Sequence, residues 1–385
     1  MSEKYLKIAT GCDFSYIKID SLDRLKKVDA IIFDCDGVLI DTRDSYWRSI
    51  IETIKFFFTS LTEIETPSDR VIKNTIHLLK KSGRYNNDWD VTYVILVVLF
   101  SQIPKNIQRR LILSIYSPHS NQNETLLERF NSIRTSMKMT PKKIPKNIDK
   151  KLSVVHRFTQ KTDDCGVEAV EQELLTSNSK DIFLAIKHFL HYPGEAEDSL
   201  LITVFNELFY GPALFEKIHN RQSQFYQGPG FIEIEKEKTL LSKELLDEFV
   251  TVIGKDNFGI VSGRDLESAK FSLGQTLERF RKEALIFLLE NHYPHKKPSP
   301  YPLIDASKGL APFHYSLYIG DSAEDIMMVK RANAIDSRFL SVGVYSLSDF
   351  QDDLISYFLK TETDIITRSV SVLPSIIREI KVKSL

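Results

Sequence analysis

The strongest constraint on this chain is a change of rhythm along it. Short apolar runs alternate with helical segments near the start and again from about residue 240, and a long stretch between them lacks that alternation. VDAIIFD (28–34) is an apolar run ending in acid, the pattern of a strand buried on both faces. Beyond residue 240, LLSKELLDEFVTVI reads as a helix, FGIVS as a strand and SGRDLESAKFSL as a helix. ALIFLL, a proline-rich loop and a helix near 301–310 follow, and then the strand SLYIG, the helix AEDIMMVKRAN and the strand FLSVGV. TDIIT and the amphipathic SVLPSIIREIKV close the series. Strands alternating with helices predict an α/β fold with a doubly wound, Rossmann-like parallel sheet, whose chemistry lies at the carboxyl ends of its strands.

The intervening stretch carries helical periodicity in RSIIETIKFFF, RVIKNTIHLL and DVTYVILVVLF. The expected layout is therefore a core from residues 1–41 and 236–385, interrupted by a mostly α-helical insertion over 42–235. Residues 104–161 of the insertion are basic, with IPKNIQRR and TPKKIPKNIDKK, although the whole chain carries a net charge of −1. That balance predicts no general attraction to nucleic acid or membranes, and the basic stretch reads first as a solvated, partly irregular insertion. A positive face for a polyanion is the competing reading, but no nucleic-acid motif accompanies it.

Three scattered cysteines (Cys12, Cys35 and Cys165) make neither a CxxC pair nor a disulfide framework, which suits a reducing compartment. MSEKYLKIATGCDF places charges where a signal peptide needs apolar residues. VTYVILVVLF falls short of the ~20 residues that span a bilayer. A cytoplasmic protein without a membrane partner is expected.

Four strand ends carry chemistry-bearing residues. Asp34 and Asp36 follow IIF, with Gly37 next. Two acids one residue apart at a strand end can share a crevice, and hard cations such as Mg²⁺ take carboxylate oxygens beside a substrate phosphate. A carboxylate there can also act as a nucleophile, and Gly37 admits backbone N–H groups to an anion. A simple Asp/Gly turn is the alternative. An EF-hand is excluded, because Val38 and Leu39 sit where its loop needs oxygen ligands and glycine. Ser262 and Gly263 end the next strand, suited to phosphate at a helix start or to plain N-capping with Asp265. Lys297, in HKKPSP, could neutralise developing charge, with Lys296 as competitor and solvation as the alternative for both. Asp321 and Asp325, in GDSAED, fall one helical turn apart on one face, as a metal pair or as acids favoured by the helix dipole. The bland explanations are independent, and four in this order make a weak joint account.

DCDGVLID, VSGR, KKPSP and GDSAED, in that order, resemble the four motifs of the haloacid dehalogenase superfamily, specifically its phosphatases with a helical cap inserted after the first motif. The phosphoglycolate-phosphatase-like branch is the nearest. The resemblance covers both core segments and implies Asp34 as nucleophile and Asp36 as general acid/base, with Ser262 and Lys297 on the phosphoryl group. It further implies Mg²⁺ held by Asp34, the Asp36 carbonyl and Asp321, with Asp325 behind them. True dehalogenases lack the second acid of the first motif, so Asp36 points to phosphate chemistry. A phosphotransferase or mutase shares these motifs, and a nucleic-acid-binding protein using 104–161 is the reading from another class. The basic stretch departs from the family, whose caps are usually smaller. GRYNNDWD (83–90) places Arg84, Asn87 and Asp88 between two helices of the cap, as readers of the leaving group or as a helix stop and N-cap. The expected substrate is a small phosphorylated metabolite. The oligomeric state and the role of residues 1–27 do not follow from the sequence.

Overall fold

The computed structural model describes residues 4–10, 13–81, 85, 87–117, 124–138, 152, 166–194, 198–289, 293–348 and 350–382. Arg84 and most of 139–161 lie outside them. By internal contacts the chain divides into two compact units, Met1–Arg43 with Glu237–Leu385, and Asp44–Lys236.

The first unit is built on an eight-stranded sheet. Its strands in chain order are β1 (Tyr5–Thr10), β2 (Asp13–Lys18), β3 (Val28–Phe33), β6 (Phe258–Ser262), β7 (Leu285–Phe287), β8 (Tyr315–Gly320), β9 (Phe339–Val344) and β10 (Ile365–Thr367), while β4 (Ile40–Asp41) and β5 (Lys238–Thr239) form a separate ribbon. The spatial order is β1-β2-β10-β9-β8-β3-β6-β7. From β10 to β7 every pairing is parallel, and the β1–β2 hairpin adds antiparallel strands at one edge. This is the α/β, mostly parallel sheet expected from the alternation. The hairpin is the element that the reading of residues 1–27 lacks.

Side-chain alternation along β3 explains the double winding. Ile31 and Phe33 point to one face, under helices Lys243–Ile253 and Leu373–Val382, and Ala30 and Ile32 point to the other, under Tyr301–Leu310 and Ala323–Asn333. A strand buried on both faces must be apolar where it is covered, which is why Ala30 to Phe33 show no polar alternation. Phe33 anchors the first face, fully buried and edge-on to Phe249, Phe258 and Phe280 at 5.8–6.1 Å. The chain runs outward from β3 to β6 and β7 on one side, and then crosses to β8, β9 and β10 on the other. The sheet therefore reverses direction between β3 and β8, and side-by-side strands diverging there leave a crevice at their carboxyl ends.

The second unit is helical. Helices Arg43–Thr62, Asp69–Lys81 and Asp88–Ser101 match the three periodic segments, and Lys105–Ile115 and Leu126–Lys138 occupy part of the basic stretch. Asp88–Ser101 is buried from Val91 to Ser101, as a helix apolar on all sides must be. Glu207 is fully buried yet accepts backbone N–H groups from Gln224, Phe225 and Tyr226 at 2.6–3.0 Å, which folds the 223–226 loop over its helix. Among the described residues no single helix is long and apolar enough to cross a membrane. One pair bent by 120°, Asp88–Ser101 with Lys105–Ile115, has the length and composition, but its first helix is core.

Replacing Phe33 with Ala should cost about 3–5 kcal/mol, because it removes a large side chain and leaves a cavity beneath the site. A urea titration followed by aromatic fluorescence should show the transition of the α/β unit at correspondingly lower denaturant, with Phe33→Leu losing less.

Candidate active site

The crevice between β3 and β8 gathers the predicted residues. Asp34 is the first residue past β3, and its backbone N–H donates to Ile319 O of β8 at 2.8 Å. That bond continues the parallel ladder by one residue and fixes where the carboxyl begins. Its Oδ1 accepts the Cys35 N–H at 2.7 Å. The loop then turns sharply, with Leu39 and Ile40 donating N–H to Cys35 O and Gly37 donating to Ile40 O. Gly37 has φ +77°, and a Cβ there would stand 1.9 Å from Asp321 Oδ2, so only glycine lets this loop approach β8 so closely.

Lys297 reaches in from the loop before Tyr301–Leu310. Its Nζ lies 2.8 Å from Asp34 Oδ1 and 2.8 Å from Asp325 Oδ1, with the side chain 9% exposed. Asp325 is fully buried; its Oδ1 also accepts the Tyr318 hydroxyl at 2.9 Å, and its Oδ2 accepts the Ser322 N–H and hydroxyl. Ser322 caps the helix Ala323–Asn333 reciprocally, so the capping box holds Asp325 and Asp325 holds Lys297. Asp321 is only partly buried, and no described residue donates a hydrogen bond to its carboxylate. Carboxylate oxygens of Asp34, Asp321 and Asp325 lie within 4.8 Å of one another.

Electrostatics sort these groups. Burial opposes the charge on Lys297, but Asp325 and Asp34 outweigh it and hold the ammonium protonated, its pKa well above the usual value. Burial would raise the Asp325 carboxyl, yet Lys297, Ser322 and Tyr318 hold it below the usual range. Asp34 is pushed up to about 7 by burial, with Lys297 opposing and Asp325 and Asp36 adding to the rise. Asp321 is raised well above its ordinary value, by burial and then by Asp34 and Asp325. Burial and the neighbouring carboxylates thus hold two of the three carboxyls above their ordinary range. The donors are hard oxygens, the set that suits Mg²⁺, Mn²⁺ or Ca²⁺ rather than a softer metal, and Gly37 leaves open the space beside Asp321. These residues could hold a divalent cation, with Asp34 and Asp321 as its direct carboxylates.

Asp36 stands apart from that cluster. Its carboxyl, about a third exposed, accepts Arg264 NH1 at 3.0 Å, and the cation cluster does not include it. Ser262 ends β6 beside β3, buried, and its Oγ accepts the Arg264 N–H at 3.2 Å. A side chain at Gly263 would meet open space. In the helical unit, Asn87 caps Asp88–Ser101 by accepting the Trp89 N–H at 2.8 Å, and Asp88 pairs with Lys80 at 2.7 Å. Both have helix-end work, and Arg84 lies outside the described residues.

Two contributors, Tyr318 and Glu237, escaped the sequence reading. Tyr318 is fully buried in the strand YSLYIG, and a buried tyrosine hydroxyl needs a partner, which was a usable signal. Arg264, which the sequence offers either as a candidate near the phosphate or as a surface residue, is 3% exposed. Glu237 sits in the charged run EIEKEK, which reads as solvated, and gave no signal.

No protein-family model and no curated protein matches the chain. The X-ray structure of Northeast Structural Genomics Consortium target ZR25 is similar at a TM-score of 0.62 and 15% identity, over 92% of this chain and 99% of that one. That likeness shows a shared fold. Phosphatase Tt82 from Thermococcus thioreducens aligns at a TM-score of 0.44 and 18% identity, over 85% of this chain and 98% of that one. So loose a likeness has no bearing on the chemistry. The class that fold and site define is an α/β protein with a carboxylate–lysine centre at its topological switch point.

Metal binding should be coupled to protons. The folded value of Asp34, about 7, lies above the ordinary 3.8, so the metal-free fold binds the extra proton between them. This group's stabilising contribution is complete below the lower value and is lost as pH rises through the higher. Mg²⁺ or Mn²⁺ should therefore raise the melting temperature more at pH 8 than at pH 5.5, against an EDTA control. Gly37→Ala, which drives a methyl into Asp321, should abolish the metal-induced shift in the same thermal scan.

Proposed function

We propose that this protein is a Mg²⁺-dependent phosphatase that hydrolyses a small phosphate monoester through an aspartyl-phosphate at Asp34. The observation that carries the reading is the Lys297 ammonium bridging Asp34 and Asp325, beside Asp321 and with Asp36 two residues from the nucleophile. The four-motif resemblance to haloacid dehalogenase superfamily phosphatases supports it independently.

Asp34 attacks phosphorus, forming a new P–O bond as the bond to the leaving oxygen breaks. Asp36 donates a proton to that oxygen, so an alcohol departs rather than an alkoxide. Lys297 keeps a positive charge beside the nucleophile and the phosphoryl oxygens, and its position is set by Asp325. The Ser262 hydroxyl and the N–H of Gly263 offer neutral donors to the same oxygens, whereas the Gly37 N–H, expected to do so from sequence, is given to Ile40 O. Bound Mg²⁺ would supply further positive charge against the developing negative charge. Asp36 then takes a proton from water, the hydroxide attacks phosphorus, and the bond to Asp34 breaks to release phosphate. Uncatalysed monoester hydrolysis is slow enough that enzymes accelerate it by up to ~10²¹-fold, so these contributions are all required. The substrate of this reading is a small phosphorylated metabolite of the phosphoglycolate kind, and its alcohol is the leaving group.

A panel of small phosphate monoesters with Mg²⁺ should show EDTA-sensitive phosphate release by the wild type. Asp34→Asn should lower kcat roughly 10³-fold or more, as loss of a nucleophile does. Acid-quenched wild type should carry one phosphate on the peptide containing Asp34. Turnover by the mutant equal to wild type would remove Asp34 from the mechanism.

A further inference from the structure

Arg264 is the most deeply buried guanidinium near the site, with its side chain 1% exposed. Burying a cation is costly unless its charge and all its donor directions are met. Here the charge faces two carboxylates, and acceptors from three chain segments meet three of its five N–H groups. NH1 donates to Asp36 Oδ1 at 3.0 Å, NH2 to Glu237 Oε2 at 2.6 Å, and Nε to Ser268 Oγ at 3.1 Å. Glu237 is equally buried, 2% exposed in its side chain, and its Oε2 also accepts the Ser272 hydroxyl at 2.6 Å. The backbone N–H of Arg264 meanwhile donates to Ser262 Oγ.

This arrangement is more specific than a fold needs. A guanidinium is a rigid planar fork whose donors leave in fixed directions, so it transmits position as well as charge. One edge of the fork is fastened by Glu237 and Ser268, both immobilised by further hydrogen bonds. The remaining NH1 therefore points where those two partners send it, and it points at one oxygen of Asp36. The partner it grips is the partly exposed carboxyl two residues from the proposed nucleophile, rather than another buried group. Lys297 performs the corresponding task for Asp34, fastened by Asp325.

We propose that Arg264, held by Glu237, is the positioning residue for Asp36: by gripping one carboxyl oxygen it sets where that acid stands relative to the leaving-group oxygen. The inference rests on the phosphatase reading above and assigns two residues to it, Arg264 and Glu237, that lie outside the Asp34–Asp321–Asp325 cluster. Its consequence is a dependence on the leaving group. An alkyl phosphate needs a proton delivered as its alcohol departs, whereas an aryl phosphate such as p-nitrophenyl phosphate leaves as a stable anion and needs little help.

The test compares kcat for an alkyl phosphate and for p-nitrophenyl phosphate in wild type, Arg264→Ala and Glu237→Gln, with Mg²⁺ throughout. General acid catalysis is typically worth ~10²–10⁴-fold, so Arg264→Ala should lose about 10²-fold on the alkyl ester and only a few-fold on the aryl ester. Glu237→Gln, which keeps the guanidinium but loosens its fastening, should show the same selectivity at about tenfold. Added guanidinium ion should restore part of the alkyl-ester rate of Arg264→Ala and leave its aryl-ester rate unmoved. Equal losses on the two esters in both variants would overturn the proposal and leave Arg264 a folding residue, as would no loss on either. If Arg264→Ala fails to fold, Glu237→Gln alone decides by its selectivity. A wild type inactive on both esters would instead overturn the phosphatase reading, a failure distinct from equal losses in the variants.

Discussion

The site depends on one buried ammonium. Three carboxylates whose oxygens lie within 4.8 Å would repel strongly: at an effective dielectric of ~20, unit charges 4 Å apart interact by about 4 kcal/mol. A single hydrogen bond contributes about 1 kcal/mol net, so the backbone turn alone could not hold that cluster ionised. Lys297 offsets part of the repulsion by touching Asp34 and Asp325 at once, and Asp325 is fixed in turn by Ser322 and Tyr318. The repulsion that remains falls on Asp34 and Asp321, whose carboxyls accordingly lie above their ordinary range. That unbalanced charge is what would suit the centre to a divalent cation.

The fold brings these groups together by reversing direction. Because the chain builds outward from β3 on one side and then resumes at β8 on the other, residues nearly three hundred positions apart end on adjacent strands. The Asp34 N–H bonded to Ile319 O sets the nucleophile's height against β8, and Gly37 lets the loop close onto Asp321. The crossings out of and back into the α/β unit are themselves joined by the two-residue ribbon of β4 and β5, with Ile40 opposite Thr239. Glu237 lies at that return, and so the segment that re-enters the unit also fastens Arg264. Asp36 and Asp34 thus have separate cationic supports, from β6 and from the loop after β7.

Much of the core was legible because buried parallel strands and amphipathic helices write their periods locally. VDAIIF, FGIVS, SLYIG and FLSVGV became β3, β6, β8 and β9, and AEDIMMVKRAN became a helix with the bounds its apolar spacing suggests. The β1–β2 hairpin was not legible, since its place depends on pairing Ile17 with Ile365, an interaction with no local trace. The β4–β5 ribbon is too short for any period to show. GRYNNDWD illustrates ambiguity of another kind: Asn87 and Asp88 carry the chemistry of a leaving-group reader, and their side chains are engaged at a helix start.

By itself the sequence determined the α/β alternation, the interruption by a helical stretch, the acids and serine at strand ends, and the lysine in the loop that follows β7. These are fixed by side-chain period and by chain order, which a linear sequence records directly. Tertiary structure alone decided which acid touches which cation. Asp34 and Asp36 stand two residues apart and read as a pair, yet one faces Lys297 and the other Arg264. Glu237 reads as solvated in a charged run, yet it is buried because a guanidinium 27 residues later needs it. Burial and electrostatic partnership are properties of neighbours in space, and sequence distance does not encode them.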